Sequence, residues 1–233
     1  MQLQLTPDWP SDEAGAYRVQ ELLRPLVRTR SLPAPPRTLA GLDVAYGGSH
    51  GSAEDRVAAA VVVLDARTLE VVDRATAVGT AGFPYIPGLF AFRELPVLVA
   101  ALEQLGTTPD LLLCDGQGLA HPRRFGLACH LGVLTGLPTL GVAKTPLLGS
   151  WDEPGPARGD SADVRDGGGG GEVVARMIRT QDGVKPLTVS TGHLITLDDA
   201  CAQVLAAAPR YRLPETTRLA DRLCRDALAA AAD

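Results

Sequence analysis

Three strand-like runs, Thr38 to Tyr46, Val57 to Leu64 and Leu69 to Val78, follow one another with no helix-length segment between them. The links, Gly47 to Ser52 and Asp65 to Thr68, are short and polar, which suits antiparallel hairpins. The pattern then changes to alternation: a helix over Gly88 to Leu105, a strand over Leu111 to Cys114, a helix over Arg123 to Thr135 and a strand over Pro138 to Ala143. Three antiparallel strands followed by alternating helix and strand predict an α/β fold, a mixed sheet whose later strands run parallel, flanked by helices.

The remaining segments fit around that sheet. Ser11 to Arg28 predicts a helix with Ser11 as N-cap, Asp12 and Glu13 in the first turn, and Tyr17, Leu22, Leu23, Leu26 and Val27 as a loose apolar stripe. Pro25 should bend or interrupt it. Residues 150–171 hold Pro154, Pro156 and five consecutive glycines, and read as a flexible surface insertion. Strand character resumes over Glu172 to Thr180 and Pro186 to Ser190. Thr196 caps a further helix with Asp199 at the capping-box position, and Pro214 to Ala231 predicts a last one.

All 233 residues are expected to form one domain. Aromatics make up 4% of the chain against 45% hydrophobic residues in all, so the core must be aliphatic. The four cysteines are scattered, with no CxxC pair, and read as reduced small hydrophobes of a cytoplasmic protein. No secretory signal is visible. The longest apolar run, Val57 to Leu64, is too short to span a bilayer, so no membrane partner is expected.

Two acids stand out against the strands. Leu111 to Cys114 ends on Asp115-Gly116-Gln117-Gly118, so Asp115 emerges where ligands bind in open α/β sheets, and the glycines admit a close approach to the backbone. Alone, the same motif reads equally well as a helix cap and a turn. Asp43 interrupts the first strand, where a carboxylate is costly to bury. If the two strands are neighbours the two carboxylates meet, and they repel unless a proton or a metal joins them. Mg²⁺ suits a few carboxylates plus phosphate oxygens, and two such ions about 4 Å apart can clamp an in-line phosphodiester displacement. An acid in the first strand and another ending the fourth is the topology of ribonuclease-H-like nucleases. Lys144 follows a strand end too, where it can hold a phosphate or the charge of a leaving oxygen. Between Pro84 and Pro87, Tyr85 and Ile86 sit in a loop stiffened by fixed φ angles, with no obvious core to join. A stiff loop presenting an aromatic suits a wedge that fills the space of a displaced base.

From about Ala40 to the last helix the chain resembles the endonuclease V family of deoxyinosine-directed repair nucleases. The resemblance rests on Gly41-Leu-Asp-Val-Ala-Tyr46, Pro84-Tyr-Ile-Pro-Gly88 with Phe92-Arg-Glu94, Asp115-Gly-Gln-Gly118 with His121-Pro-Arg123, Gly141-Val-Ala-Lys144, Thr191-Gly-His193, and Tyr211-Arg-Leu-Pro-Glu215 with Thr217-Arg-Leu-Ala-Asp221. It implies that Asp43, Asp115 and Glu94 bind metal, and that Asp221 supports them unless it only pairs with Arg225 or Arg218 on its helix. Pro84, Tyr85 and Ile86 become the strand-separating wedge. Gly88, Phe90, Gly116, Leu127 and Leu147 become the pocket for the displaced hypoxanthine, whose edge is read by backbone groups. His121 is placed to touch the DNA backbone or metal-bound water, or else to start a helix, while His193 reads as structural. The implied reaction is Mg²⁺-dependent two-metal hydrolysis, with Mn²⁺ able to substitute, at the second phosphodiester 3′ to the lesion, leaving 3′-hydroxyl and 5′-phosphate ends. The implied partner is single- or double-stranded DNA containing deoxyinosine, with inosine RNA as a further substrate, bound by a monomer. Thr216 departs from the family, which usually has proline there.

The net charge of −5 argues against a nucleic-acid partner. Four of those charges would be the metal-facing acids, and a nuclease needs only a local positive face, here Arg123, Arg124 and Lys144, with Arg93 beside Glu94. Two other readings stay open: a ribonuclease-H-like nuclease for branched or RNA-containing substrates, and a non-catalytic nucleic-acid-binding module.

Overall fold

A computed structural model describes residues 1–48, 51–167 and 170–231. Gly168 and Gly169 of the glycine run, and residues 49–50 of the first strand link, lie outside the described residues. One mixed sheet of eight strands runs through the chain. The strands are β1 (Thr38–Gly47), β2 (Arg56–Asp65), β3 (Val71–Thr80), β4 (Leu111–Asp115), β5 (Thr139–Ala143), β6 (Ser161–Asp166), β7 (Glu172–Ile178) and β8 (Leu187–His193), in the order β3-β2-β1-β4-β5-β8-β7-β6. The three N-terminal strands form the expected antiparallel meander. β4 then adds parallel to β1, and β5 parallel to β4. Beyond β5 the strands are antiparallel again.

The helices are α1 (Glu13–Leu23), α2 (Ala91–Glu103), α3 (Leu127–Thr135), α4 (Leu197–Ala207) and α5 (Glu215–Ala230). Side-chain alternation along the strands decides which helix covers which face. Leu42, Val44, Leu112 and Cys114 pack with Leu95 and Leu98 of α2 and with Leu131 of α3. On the opposite face Leu39, Leu113, Val142 and Val189 meet Ala200 and Val204 of α4. There α5 closes over β2 through Ala220 against Val62 and Leu64. The start of α5 presses on β1 so closely that a Cβ at Gly41 would lie 2.2 Å from the Thr216 backbone. No side chain fits at Gly41, and that contact brings α5 down beside Asp43.

Several boundaries differ from the sequence expectation. The N-cap of α1 is Asp12, not Ser11: its carboxylate accepts the Gly15 N–H at 2.6 Å. That helix ends at Leu23, and a 3₁₀ turn over Arg24–Leu26 carries Pro25. α2 starts at Ala91, because residues 86–89 form a turn closed by the Leu89 N–H on the Ile86 carbonyl. α3 starts at Leu127, because Arg124 has φ +54 and Gly126 is extended. Residues 150–171 carry an edge strand: β6 pairs along β7, and Ser150 bridges Arg165. Only Val164 of β6 is fully buried, so the strand has almost no apolar pattern to read. Thr196 and Asp199 cap α4 as expected, the Asp199 N–H donating to Thr196 Oγ1 at 3.1 Å. All four cysteines are buried and unpaired. Among the described residues no helix is long and apolar enough to cross a membrane.

Candidate active site

The parallel ladder pairs Leu42 with Cys114, so Asp43 and Asp115 come next in line. Both point to the face covered by α5, on which Asp221 enters from above. Asp43, Asp115 and Asp221 line one open cleft of about 490 Å³, with Tyr46 and Arg225. Asp221 comes near enough to Asp43 for its charge to act on it, and it accepts from Arg225 Nη2 at 2.5 Å. The helix pair and the approach to the acids therefore coexist. Arg218 turns elsewhere, to Glu215 and over the Tyr211 ring.

Glu94 comes from the first turn of α2 on the other side of the sheet. It is buried, and it accepts a hydrogen bond from the Tyr46 hydroxyl at 3.2 Å. Burial and then the charges of Asp43 and Asp115 hold its pKa well above the ordinary range. Burial, then Asp115, raises Asp43 to about 7. Asp115 is also raised, by burial, while the charge of Lys144 pulls it back. A set of oxygen donors forced together against their mutual repulsion suits a hard divalent cation such as Mg²⁺ or Mn²⁺. Among the described residues no three acidic, histidine or cysteine side chains stand close enough together to enclose a metal on their own. The fit therefore rests on the donor chemistry and on the coupling of these acids.

A second cavity, of about 310 Å³, lies on the other side of the β4 end. Gly88, Phe90, Gly116, Leu127 and Leu147, which the resemblance assigns to one pocket, all line it, and so do Gln20, Tyr85 and His121. Gly116 has φ +151, and a Cβ there would stand 3.3 Å from Leu127 Cδ2, so a side chain would be strained as well as crowded. Tyr85 is 57% exposed, and its ring meets Phe90 edge-on at 6.3 Å. Pro84 is exposed too. Ile86 does join a core: it packs on the small cluster of Ala16, Phe83 and Leu89 beneath α1. The wedge-like loop is thus anchored by Ile86, by the Tyr85 N–H on the Gly51 carbonyl and by Arg93 on the Phe83 carbonyl at 2.6 Å.

Three basic residues stand differently from the sequence expectation. Arg93 is not a surface cation. It is 1% exposed and paired with Asp55 at 3.0 Å, since α2 buries that side chain behind the loop that carries Tyr85. Arg124 is held by Asp166 and Glu172 of the β6–β7 hairpin. Arg123 lies over the Tyr17 ring, 3.9 Å from its centroid. Lys144 is where the strand end predicts, coupled to Asp115.

His121 is buried with both nitrogens engaged: Nε2 donates to the Gly88 carbonyl at 3.0 Å, and Nδ1 accepts the Arg123 N–H at 3.2 Å. Burial lowers its pKa to about 4, and the charges acting on it are Arg123 and Arg124 rather than the acids. It serves as pocket wall in this arrangement. His193 Nδ1 accepts the Arg28 N–H, a structural contact. Sequence reasoning missed Tyr46 as the partner of Glu94, although it lay inside a quoted motif. It also missed Gln20, whose signal was a polar residue in line with the apolar Ala16 and Leu23 of α1.

A mixed sheet in this order, with an acid in the middle of its first strand beside the acid that ends its fourth, and helix-borne acids from either face, defines a ribonuclease-H-like nuclease. A family model described as Endonuclease V matches residues 20–222. An endonuclease V of Nocardia farcinica is 58% identical over 233 residues, covering 98% of this chain and 99% of its own. The crystal structure of endonuclease V from Streptomyces avermitilis superposes with a TM-score of 0.90 at 51% identity, covering 100% of both chains. The Ciona intestinalis endonuclease V, solved with a 24mer DNA containing an inosine followed by a ribo-adenosine, superposes at 0.75 with 28% identity, covering 94% of this chain and 98% of its own. The chain belongs to the endonuclease V family.

Proposed function

We propose that the protein recognises deoxyinosine in DNA and hydrolyses the second phosphodiester 3′ to it, leaving 3′-hydroxyl and 5′-phosphate ends. The observation that carries this reading is the junction at Asp115-Gly116, where the acid cleft and the pocket of about 310 Å³ abut within two residues. A base drawn into the second cavity leaves its own strand running toward the first. The inosine-containing DNA bound by the Ciona relative supports the choice of base.

Asp43, Asp115 and Glu94 would hold Mg²⁺, or Mn²⁺ in its place, with Asp221 in support, and four carboxylates carry charge enough for two such ions. When bound, the metal supplies Lewis-acid stabilisation of the phosphate and an acidified water. The protein's own groups do the rest. Lys144, beside Asp115, offsets negative charge on the leaving oxygen. Exposed Tyr85, on its anchored loop, fills the gap left by the displaced base and keeps the strands apart. Gly116 leaves the pocket floor open, and Phe90, Leu127 and Leu147 give the base an apolar enclosure. His121 fixes the Gly88 carbonyl at the rim rather than moving a proton.

The test is nicking of an end-labelled duplex with one deoxyinosine, in Mg²⁺ and in EDTA. A single Mg²⁺-dependent product one nucleotide beyond the lesion is expected. Equal cutting of an undamaged duplex, or cutting only of branched or RNA-containing substrates, contradicts the reading.

A further inference from the structure

The buried ion pair of Arg93 and Asp55 takes no part in the reaction outlined above, yet it bears on the acid cluster through one side chain. Arg93 Nη2 meets Asp55 at 3.0 Å, and Nη1 donates to the carbonyls of Ser52 at 3.0 Å and Phe83 at 2.6 Å. Held by an acid and two carbonyls, the guanidinium is fixed in place. Its Cζ lies 5.2 Å from the centroid of the Tyr46 ring, and the Phe90 ring meets Tyr46 at 6.3 Å. Tyr46 belongs to β1, on the strand that carries Asp43, and it lines the acid cleft. Its hydroxyl donates to Glu94 Oε1 at 3.2 Å. Among the described residues that hydroxyl is the one side-chain donor to the Glu94 carboxylate.

We infer that Tyr46 is a positioning residue whose hydroxyl orients the Glu94 carboxylate toward the divalent cation it shares with Asp43 and Asp115. The inference rests on the reading of Glu94 as a metal ligand. A ligating carboxylate is itself hydrogen-bonded, and loss of such a partner typically weakens metal binding by about ten- to a hundredfold. Among these acids Glu94 needs the partner most. Asp43 and Asp115 follow directly on the paired Leu42 and Cys114, so the sheet sets their spacing. Glu94 arrives from α2 on the other face, at the end of a longer side chain with several staggered rotamers. The Tyr46 hydroxyl supplies the fixed point that the sheet does not. Asp55 fixes Arg93, Arg93 and Phe90 hold the ring, and the ring directs Glu94. A tyrosine that only satisfied a buried carboxylate would stabilise the fold and leave metal affinity alone.

The experiment titrates Mn²⁺ into the full-length protein without DNA and follows the free ion by electron paramagnetic resonance. The parent is compared with Tyr46→Phe, Glu94→Gln and the double variant. Phenylalanine keeps the ring between Arg93 and Phe90 and removes only the hydroxyl. Tyr46→Phe should weaken Mn²⁺ binding by about tenfold or more. In the Glu94→Gln background it should cost nothing further, because both changes act through one carboxylate. Unchanged affinity in Tyr46→Phe overturns the inference, and so does a loss that persists in full once Glu94 is Gln. Should Tyr46→Phe fail to fold, the unaltered protein labelled with 3-fluorotyrosine decides. Its four tyrosine signals are assigned by elimination, with phenylalanine placed in turn at Tyr17, Tyr85 and Tyr211. The Tyr46 signal should move as Mg²⁺ is added, and a Tyr46 signal that stays still overturns the inference. Unchanged Mn²⁺ affinity in Glu94→Gln contradicts the reading of Glu94 as a ligand, and takes the inference with it. Unchanged affinity in Tyr46→Phe alone leaves that reading standing.

Discussion

Asp115 and Gly116 are consecutive residues that face two different cavities. Asp115 lines the cleft shared with Asp43 and Asp221, and Gly116 lines the apolar pocket closed by Leu127 and Leu147. The strand ends between them, so one peptide unit separates the acid cleft from the apolar pocket.

The acid cluster makes metal-free protein sensitive to pH. Asp43 is raised to about 7 in the fold against 3.8 ordinarily, so the folded form holds a proton that the unfolded chain releases. Its contribution to stability is therefore lost as pH rises from about 4 through 7. Buried His121 and His130, lowered to about 4 and about 3, act in the opposite sense as pH rises toward 6.5. Comparison with Asp43→Asn removes those shared contributions. In EDTA at pH 8 the variant should be more stable than the parent by about 2–4 kcal/mol, the gain vanishing below pH 4. Denaturant melts across that range measure it.

Tyr85→Ala should leave stability within about 0.5 kcal/mol, because the ring is 57% exposed. Nicking of a deoxyinosine duplex should fall about tenfold or more, since unstacking must be compensated by something that fills the gap. Nicking of the same sequence as a single strand should fall much less. Parallel rate measurements on the two substrates separate a strand-separating wedge from a side chain that only packs over the core.

Thr216 is fully buried at the start of α5, and its hydroxyl has no partner. Thr216→Val keeps the shape and removes the orphan. It should stabilise the protein by about 1 kcal/mol, read from the denaturation midpoint, with nicking unchanged.

The strands that place the acids are legible because they carry nearly unbroken apolar runs. Val57 to Leu64 is buried throughout, and Leu111 to Cys114 likewise. A polar residue breaking such a run, as Asp43 does, reads as a site for the same reason. β6 is hidden because an edge strand has half its surface in water, and here only Val164 turns fully inward. The fate of Arg93 is hidden for a different reason. Its partner Asp55 lies 38 residues away in sequence, and no local pattern announces an ion pair made across a fold. Gln20 belongs to the same category, since both carbonyls it grips come from distant loops.

The division between Asp115 and Gly116 is tested most directly by measuring binding and nicking of one deoxyinosine duplex with Asp115→Asn and with Gly116→Ala. Asp115→Asn should bind the lesion within a few-fold of the parent yet cut it about 10³-fold more slowly. Gly116→Ala should lose the preference for deoxyinosine over undamaged DNA while still taking up Mg²⁺ in a calorimetric titration. Loss of lesion binding in Asp115→Asn, or an intact base preference in Gly116→Ala, would contradict the assignment of cutting to one residue and base admission to the next.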